Sequence, residues 1–298
     1  MKKITANVYI EDRFSVPPRY RGCNPGFIVT AEGIVMIDTP MMPHDAVKWR
    51  EEISPKGPVR YIINTHHHID HTTGNFFFAG TVVSHQGVRE SFHGPVKSVM
   101  NIKPGEEATK AGQGPIKNIR LLVKEYDPEG LPLLENFSLR APTVTFTERL
   151  VLYVGEQTVE LIHQPGHTSS HIGVYVPREK VFFAGDNFTN RTQPSLAYCM
   201  PLAWIESLKT IESLDIDVVV PGHGEACEKS EVRRFRLFIE ECVDMVKEAI
   251  QKGMTPEQAA DKLSFEPLYP EDRSALPVHP GAEQQRRNVR QLYDVLSK

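Results

Sequence analysis

The sequence predicts an α/β fold, and three patterns carry that prediction. Short β-prone runs alternate with helical stretches along most of the chain, several of those runs end directly in His or Asp, and the region beyond about Lys229 reads as helical. With 298 residues, 40% of them hydrophobic, the chain can bury a substantial core, so a folded protein of one large domain or two modest ones is expected.

Phe27 to Thr30 and Ile34 to Asp38 are β-prone and separated by Ala31-Glu32-Gly33, which is hairpin chemistry. Pro43 opens a helix to about Ile53, and Val59 to Asn64 forms the next strand. A histidine run follows at once, and Thr72 to Phe78 is expected to start a helix. The stretch 86–142 is rich in Gly, Pro and charge and short of long periodic segments, so it reads as an inserted elaboration, either a lid or a surface excursion. Val144 to Phe146, Leu150 to Val154 and Thr158 to His163 cluster as strands, and Ile172 to Val176 pairs with Val181 to Ala184 across Pro177-Arg178-Glu179-Lys180. Pro201 to Leu214 is helical, Asp217 to Val220 is a buried strand, and Lys229 to Lys252 is a long amphipathic helix closed by Gly253. Thr255-Pro256-Glu257-Gln258 combines a cap, a first-turn proline and a reciprocal Gln; a last helix fits Glu283 to Leu296.

The formal net charge of -4 provides no broad basic field, so neither nucleic acid nor an anionic membrane surface is an expected partner; a small molecule is. Arg233-Arg234 and Arg286-Arg287 fall on predicted helices and read as solvated faces. The apolar stretch Ile4 to Ile10 is broken by Thr5 and Asn7 and meets Glu11, so it does not read as a secretory signal. No segment approaches the roughly 18 apolar residues of a membrane span, and a soluble, cytoplasmic protein is expected. Cys23, Cys199, Cys227 and Cys242 form no C-x-x-C pair and are expected as reduced thiols. Nothing in the sequence bears on oligomeric state.

The chemistry concentrates in His66-His67-His68-Ile69-Asp70-His71. Zinc takes neutral imidazole nitrogens and carboxylate oxygens, and a catalytic zinc keeps one position for water. On an extended loop residues two apart point the same way, so His66 and His68 can clasp one ion while His67 faces elsewhere. Beyond the turn, Asp70 and His71 can reach a second ion. Three later segments each follow or end a strand: Gly166-His167-Thr168 can complete the first group, Gly185-Asp186 offers a bridging carboxylate, and Pro221-Gly222-His223-Gly224 ends in another imidazole. His44, His85, His93, His163, His171 and His279 read as ordinary histidines, with His171 the best placed to support a ligand. Asn187, Asn190, Arg191 and Tyr198 follow the Asp and are either pocket-lining or plain loop residues.

The ordered set H-x-H-x-D-H, G-H-T, G-D and P-G-H-G resembles the metallo-β-lactamase superfamily over about residues 20 to 228. The resemblance implies a four-layer αβ/βα sandwich with metals at one edge of its two sheets: a catalytic domain over 1–228, with the insertion at about 86–142, and a helical extension over 229–298 packed on it. It further implies one zinc on His66, His68 and His167, a second on Asp70, His71 and His223, and Asp186 bridging, with iron or manganese as alternative metals. The expected activity is hydrolysis by a metal-bridging hydroxide, with Asp70 steering the nucleophile or handing a proton to the leaving group.

Asp186 also bears on the substrate. It resembles the bridging Asp of thioesterase, lactonase and phosphodiesterase members, where true zinc β-lactamases usually carry Cys or Ser, so β-lactam hydrolysis ranks low. Phosphodiester cleavage of nucleic acid ranks low on charge. A small ester, thioester or lactone is therefore the expected substrate. Two further readings are a sulfur dioxygenase with one iron on His66, His167 and Asp186, and a non-catalytic binding protein with a relic site; the second is disfavoured because all seven ligand positions are filled.

Overall fold

The computed structural model describes residues 1–14, 22–93, 113–269 and 282–298, and the side chains within them except those of 93 and 113–117. The first sheet begins with β1 (Lys2–Lys3), β2 (Val8–Ile10), β3 (Gly26–Thr30) and β4 (Gly33–Ile37), all antiparallel neighbours. The β3–β4 turn depends on Gly33: its φ is +120°, and a Cβ there would stand 2.5 Å from the Pro58 carbonyl oxygen. Helix α1 (Pro43–Ile53) starts with its proline in the first turn and carries the chain across to β5 (Val59–Ile63), parallel to β4. Strands β6 (Thr81–His85) and β7 (Val144–Phe146) extend the parallel half, in the order β1-β2-β3-β4-β5-β6-β7.

The second sheet runs β12-β11-β10-β9-β8, from β8 (Arg149–Val154), β9 (Gln157–His163), β10 (Ile172–Val176), β11 (Val181–Thr189) and β12 (Val218–His223). Helix α5 (Pro201–Ser213) makes the crossover between the parallel pair β11 and β12.

Strand alternation builds the layers. In β4, Val35 and Ile37 join a cluster with Val174, Val181 and Phe183 of the other sheet, while Ile34 and Met36 turn outward onto Trp49 and Ile53 of α1. In β11, Phe183 faces inward and Phe182 faces outward, onto a cluster holding Trp204 of α5. The central strands of both sheets are thus buried on two faces, which is why β4, β10 and β11 read as near-continuous apolar runs. The result is the expected helix, sheet, sheet, helix order.

The described residues beyond β12 form three helices, α6 (Lys229–Gln251), α7 (Pro256–Lys262) and α8 (Ala282–Leu296). Thr255 and Gln258 form the reciprocal cap expected of their spacing. Phe235 of α6 is fully buried against the rings of Phe188, Trp204, Phe238 and Tyr269, so the tail shares a core with the second sheet. All four cysteines are free, as expected. Among the described residues no helix is long and apolar enough to cross a membrane.

Three local expectations change. The helix expected at Thr72 begins earlier and is short: α2 (Ile69–Thr72) gives way to a 3₁₀ turn over Thr73–Phe77, in which Asn75 is drawn into hydrogen bonds with Thr39 and Asn64. Strand β11 continues past Asp186 through an irregular register at Gly185, so Asp186 lies within a strand. The stretch 86–142 is more regular than its composition suggests. Its described residues include α3 (Gln86–His93) and α4 (Gln113–Tyr126), and Ile119, Val123, Leu134 and Phe137 are buried in the Trp49 cluster; 94–112 lie outside the described residues.

Because Phe235 joins three elements, Phe235→Ala should cost about 3–5 kcal/mol of unfolding free energy. Urea denaturation measures it, and a loss under about 1 kcal/mol would show that the tail lies outside the same cooperative core.

Candidate metal centre

The expected ligand positions converge at one edge of the two sheets. His66 and His68 leave β5 on the loop into α2, Asp70 and His71 lie on α2, His167 follows β9, Asp186 sits on β11 and His223 ends β12. β5 runs parallel to β4 in the first sheet and β11 parallel to β12 in the second, and the carboxyl ends of β5, β11 and β12 meet at one rim, where His66 and His223 both approach Asp186. His66, His71, His167, Asp186 and His223 are buried, while His68 and Asp70 are half-buried and form the open side.

Asp186 divides the cluster in two. Its Oδ2 lies 3.8 Å from His66 Nε2 and 3.5 Å from His167 Nε2, and His167 Nε2 lies 3.2 Å from His68 Nδ1. Its Oδ1 lies 3.1 Å from His71 Nε2 and 3.4 Å from His223 Nε2. Asp70 Oδ2 completes the second set, 3.6 Å from His71 Nε2 and 3.4 Å from His223 Nε2. The two sets, His66-His68-His167-Asp186 and Asp70-His71-His223, each offer atoms within 4.8 Å of one another, spacing that can hold a metal ion.

Glycines make this approach possible. A Cβ on Gly222 would stand 2.0 Å from Asp186 Oδ1, and Gly185, at φ +48°, passes Thr65 and His171 at distances no side chain tolerates. The motif glycines beside Asp186 and His223 therefore clear space for the carboxylate.

Protonation follows from burial and charge. Burial holds the imidazoles of His66, His68 and His171 well below their usual pKa and lowers that of His167, leaving neutral rings with lone pairs to offer. At His223 burial opposes the charged form but Asp186 and Asp70 outweigh it, raising its pKa to about 9. Burial likewise opposes ionisation of Asp186 and Asp70, yet His223 and His71 outweigh it and hold both carboxylates ionised. The donor set fits a divalent cation on a further observation: His66 Nε2 is fully buried and makes no hydrogen bond among the described residues, which native interiors rarely tolerate in a polar atom.

Sequence reasoning missed Asp38. This buried carboxylate at the end of β4, in the left-handed region at φ 53°, accepts from His71 Nδ1 at 2.8 Å and from the Thr65 amide and hydroxyl, each at 2.8 Å. The Thr65 hydroxyl lies 3.1 Å from His66 Nδ1, where it can accept that ring's proton. One carboxylate thus sets two tautomers and presents two Nε2 lone pairs to the centre. The only local signal was an Asp at a strand end. His171, expected to support a ligand, stacks on the His66 ring at 5.1 Å and accepts the Asn187 backbone N–H at 3.3 Å. Asn187 is also a support: its side chain accepts the His167 amide at 2.8 Å and donates to the Gln164 carbonyl at 2.6 Å. His85 and His163 stack on each other at 4.2 Å and His44 bonds Asp127, all apart from the cluster; His279 and the His93 side chain lie outside the described residues.

Two sheets enclosed by helices, with a His/Asp cluster at the carboxyl rim, define an αβ/βα sandwich with a candidate metal centre at one edge. The profile of the Metallo-beta-lactamase superfamily matches residues 18–223, and the chain belongs to that family. It is 25% identical to the linear primary-alkylsulfatase of Pseudomonas sp. (strain ATCC 19151), over 89% of this chain and 54% of that protein, so it spans about half the length of this relative. It is 23% identical to the hydroxyacylglutathione hydrolase of Mesorhizobium japonicum, over 74% of this chain and 73% of that one. The inverting sec-alkylsulfatase Pisa1 from Pseudomonas sp. superposes with a TM-score of 0.66 at 17% identity, over 98% of this chain and 49% of that one, a likeness of fold.

Gly222→Ala should drive the Asp186 carboxylate from its place. Elemental analysis of the purified variant should find less retained metal than in wild-type protein; equal loading would show that this carboxylate is not required.

Proposed function

We propose that the protein is a dinuclear, zinc-dependent hydrolase of small esters, thioesters or lactones, with iron or manganese able to stand in for zinc. One observation carries the reading: the two oxygens of Asp186 face two separate histidine sets, Oδ2 toward His66 and His167 and Oδ1 toward His71 and His223. His66, His68 and His167 would hold one ion, Asp70, His71 and His223 the other, with Asp186 shared between them.

Two such ions, when bound, supply a water ionised near neutral pH and positive charge opposite the oxyanion of the reacting carbonyl. The chain's own residues do the rest. Asp38 and Thr65 fix the His71 and His66 rings so that only Nε2 faces the centre. Asn187 holds the His167 amide, and the stacked His171 holds the Asn187 amide that follows Asp186. Asp70, the more open carboxylate, steers the attacking water and passes its proton to the leaving oxygen or sulfur. The half-buried side of His68 and Asp70 is the approach for a small molecule. No nucleic acid or membrane partner is required, and a cytoplasmic location fits this substrate class. Residues 229–298 are read as a helical extension packed on a catalytic domain that spans residues 1–228.

A second reading has one observation in its favour: likeness to the linear primary-alkylsulfatase over 89% of this chain points to sulfate esters. A panel of S-acyl thioesters, p-nitrophenyl esters, lactones, alkyl and aryl sulfates, β-lactams and phosphodiesters separates the two. Thioester or carboxylic-ester turnover is expected to lead it, whereas sulfate release as the fastest reaction would move the assignment to the second reading.

Elemental analysis should give close to two metal ions per chain. A single iron with oxygen uptake on thiol substrates would instead mean a dioxygenase. Asp186→Ala and His66→Ala should each lower kcat/KM by about a hundredfold or more, and Asp38→Ala should weaken metal affinity about 10–100-fold without touching a ligand, read by competition with a chromophoric chelator. Removing the metal from wild-type protein should lower its melting temperature, since whatever binds only the native state stabilises it; an unchanged transition would show that no ion is held there.

A further inference from the structure

The segment 190–200 links the two halves of the centre. It begins where the Asn190 amide bonds the His223 carbonyl at 2.9 Å and ends where the Met200 amide bonds the Gly166 carbonyl at 2.7 Å, next to His167. Two of its residues, Arg191 at φ 54° and Tyr198 at φ 67°, sit in the left-handed region that side chains avoid. Such strain persists only where surroundings over-determine the backbone, and it gathers at ligand-binding sites. Arg191, Tyr198 and Met200 are exposed along the strap.

The surroundings that impose this shape lie in the C-terminal region. The Tyr269 hydroxyl accepts the Arg191 amide at 3.1 Å and donates to the Thr189 carbonyl at 3.1 Å. Asn288 of α8 accepts the Leu196 amide at 3.0 Å and donates to the Pro194 carbonyl at 3.1 Å. Gln193 of the strap donates to the Phe265 carbonyl at 2.9 Å and accepts from Gln285. Tyr269, Gln285 and Asn288 are all buried. The strap closes one turn on itself, from the Cys199 amide to the Leu196 carbonyl at 3.3 Å, and side chains from beyond α7 satisfy further backbone groups as a partner strand would.

We propose that strap 190–200 is the substrate-contacting wall of the metal centre and that Tyr269 and Asn288 are positioning residues that hold it in its strained, binding-competent form. This rests on the hydrolytic reading above. Backbone amides of the strap bond the His223 carbonyl and the Gly166 carbonyl beside His167, and neither bond engages a ligating atom, so loosening the strap changes the fit of the substrate's non-reacting end while leaving the ligands in place. The C-terminal helices then take a share in recognition without contributing a group to the chemistry.

Tyr269→Phe deletes the hydroxyl's bonds to the Arg191 amide and to the Thr189 carbonyl just before the strap and keeps the ring against Phe235 and Phe238; Asn288→Ala deletes the bonds to Leu196 and Pro194. Each variant is expected to raise KM for the best panel substrate roughly three- to tenfold while kcat and bound metal stay near wild type, and amides of 190–200 should exchange hydrogen faster than in wild-type protein. Unchanged KM overturns the recognition role. A fall in kcat that tracks metal loss overturns it too, because the residues would then support the ligands. Unchanged exchange in the strap overturns the tether itself. If the wild-type protein hydrolyses nothing in the panel, the hydrolytic reading and the substrate-wall role fail together, and faster strap exchange in both variants would still establish the tether independently of them.

Discussion

The placement of one carboxylate governs the rest of this structure. Asp186 can stand between two sets of imidazoles only because Gly222 carries no side chain and Gly185 turns the strand through a conformation that other residues resist. Around that point, buried groups of opposite tendency gather: neutral rings on the His66 side, and carboxylates paired with His71 and His223, whose pKa values nearby carboxylates raise, on the other. Such a cluster is costly to bury without a counter-charge to organise it, which is the physical basis for reading it as a metal centre.

The scaffold makes that cost bearable by rigidity. The central strands of both sheets are covered on two faces, so the strand ends that carry His66, Asp186 and His223 are fixed by three layers of apolar packing. The ligand rings are then locked by hydrogen bonds: Asp38 to His71, Thr65 to His66, Asn187 to the His167 loop. Much of the centre is therefore made of residues that would touch no ion at all.

The helical tail belongs to the same construction. Phe235 ties it to β11 through Phe188, and Tyr269, Gln285 and Asn288 brace the strap that follows Asp186. The family profile covers residues 18–223, whereas the strap is braced by side chains from beyond that range.

By itself the sequence determined the α/β class, most strand and helix positions, the family, and the residue types that could take a metal. These are local signals: alternation of side chains along a strand, a proline or cap at a helix start, and imidazole and carboxylate groups at strand ends. Tertiary structure alone decided what those groups do to one another. The bond from Asp38 to His71 crosses 33 residues and that from Leu196 to Asn288 crosses 92, distances at which no spacing rule operates. The same holds for α4, whose Ile119 and Val123 found the Trp49 cluster despite a Gly- and Pro-rich setting, and for His171, whose role was set by a stacked ring and a backbone amide. Periodicity records which face of an element will be buried; which partner buries it, and which buried atom needs a hydrogen bond, is settled only when distant segments meet.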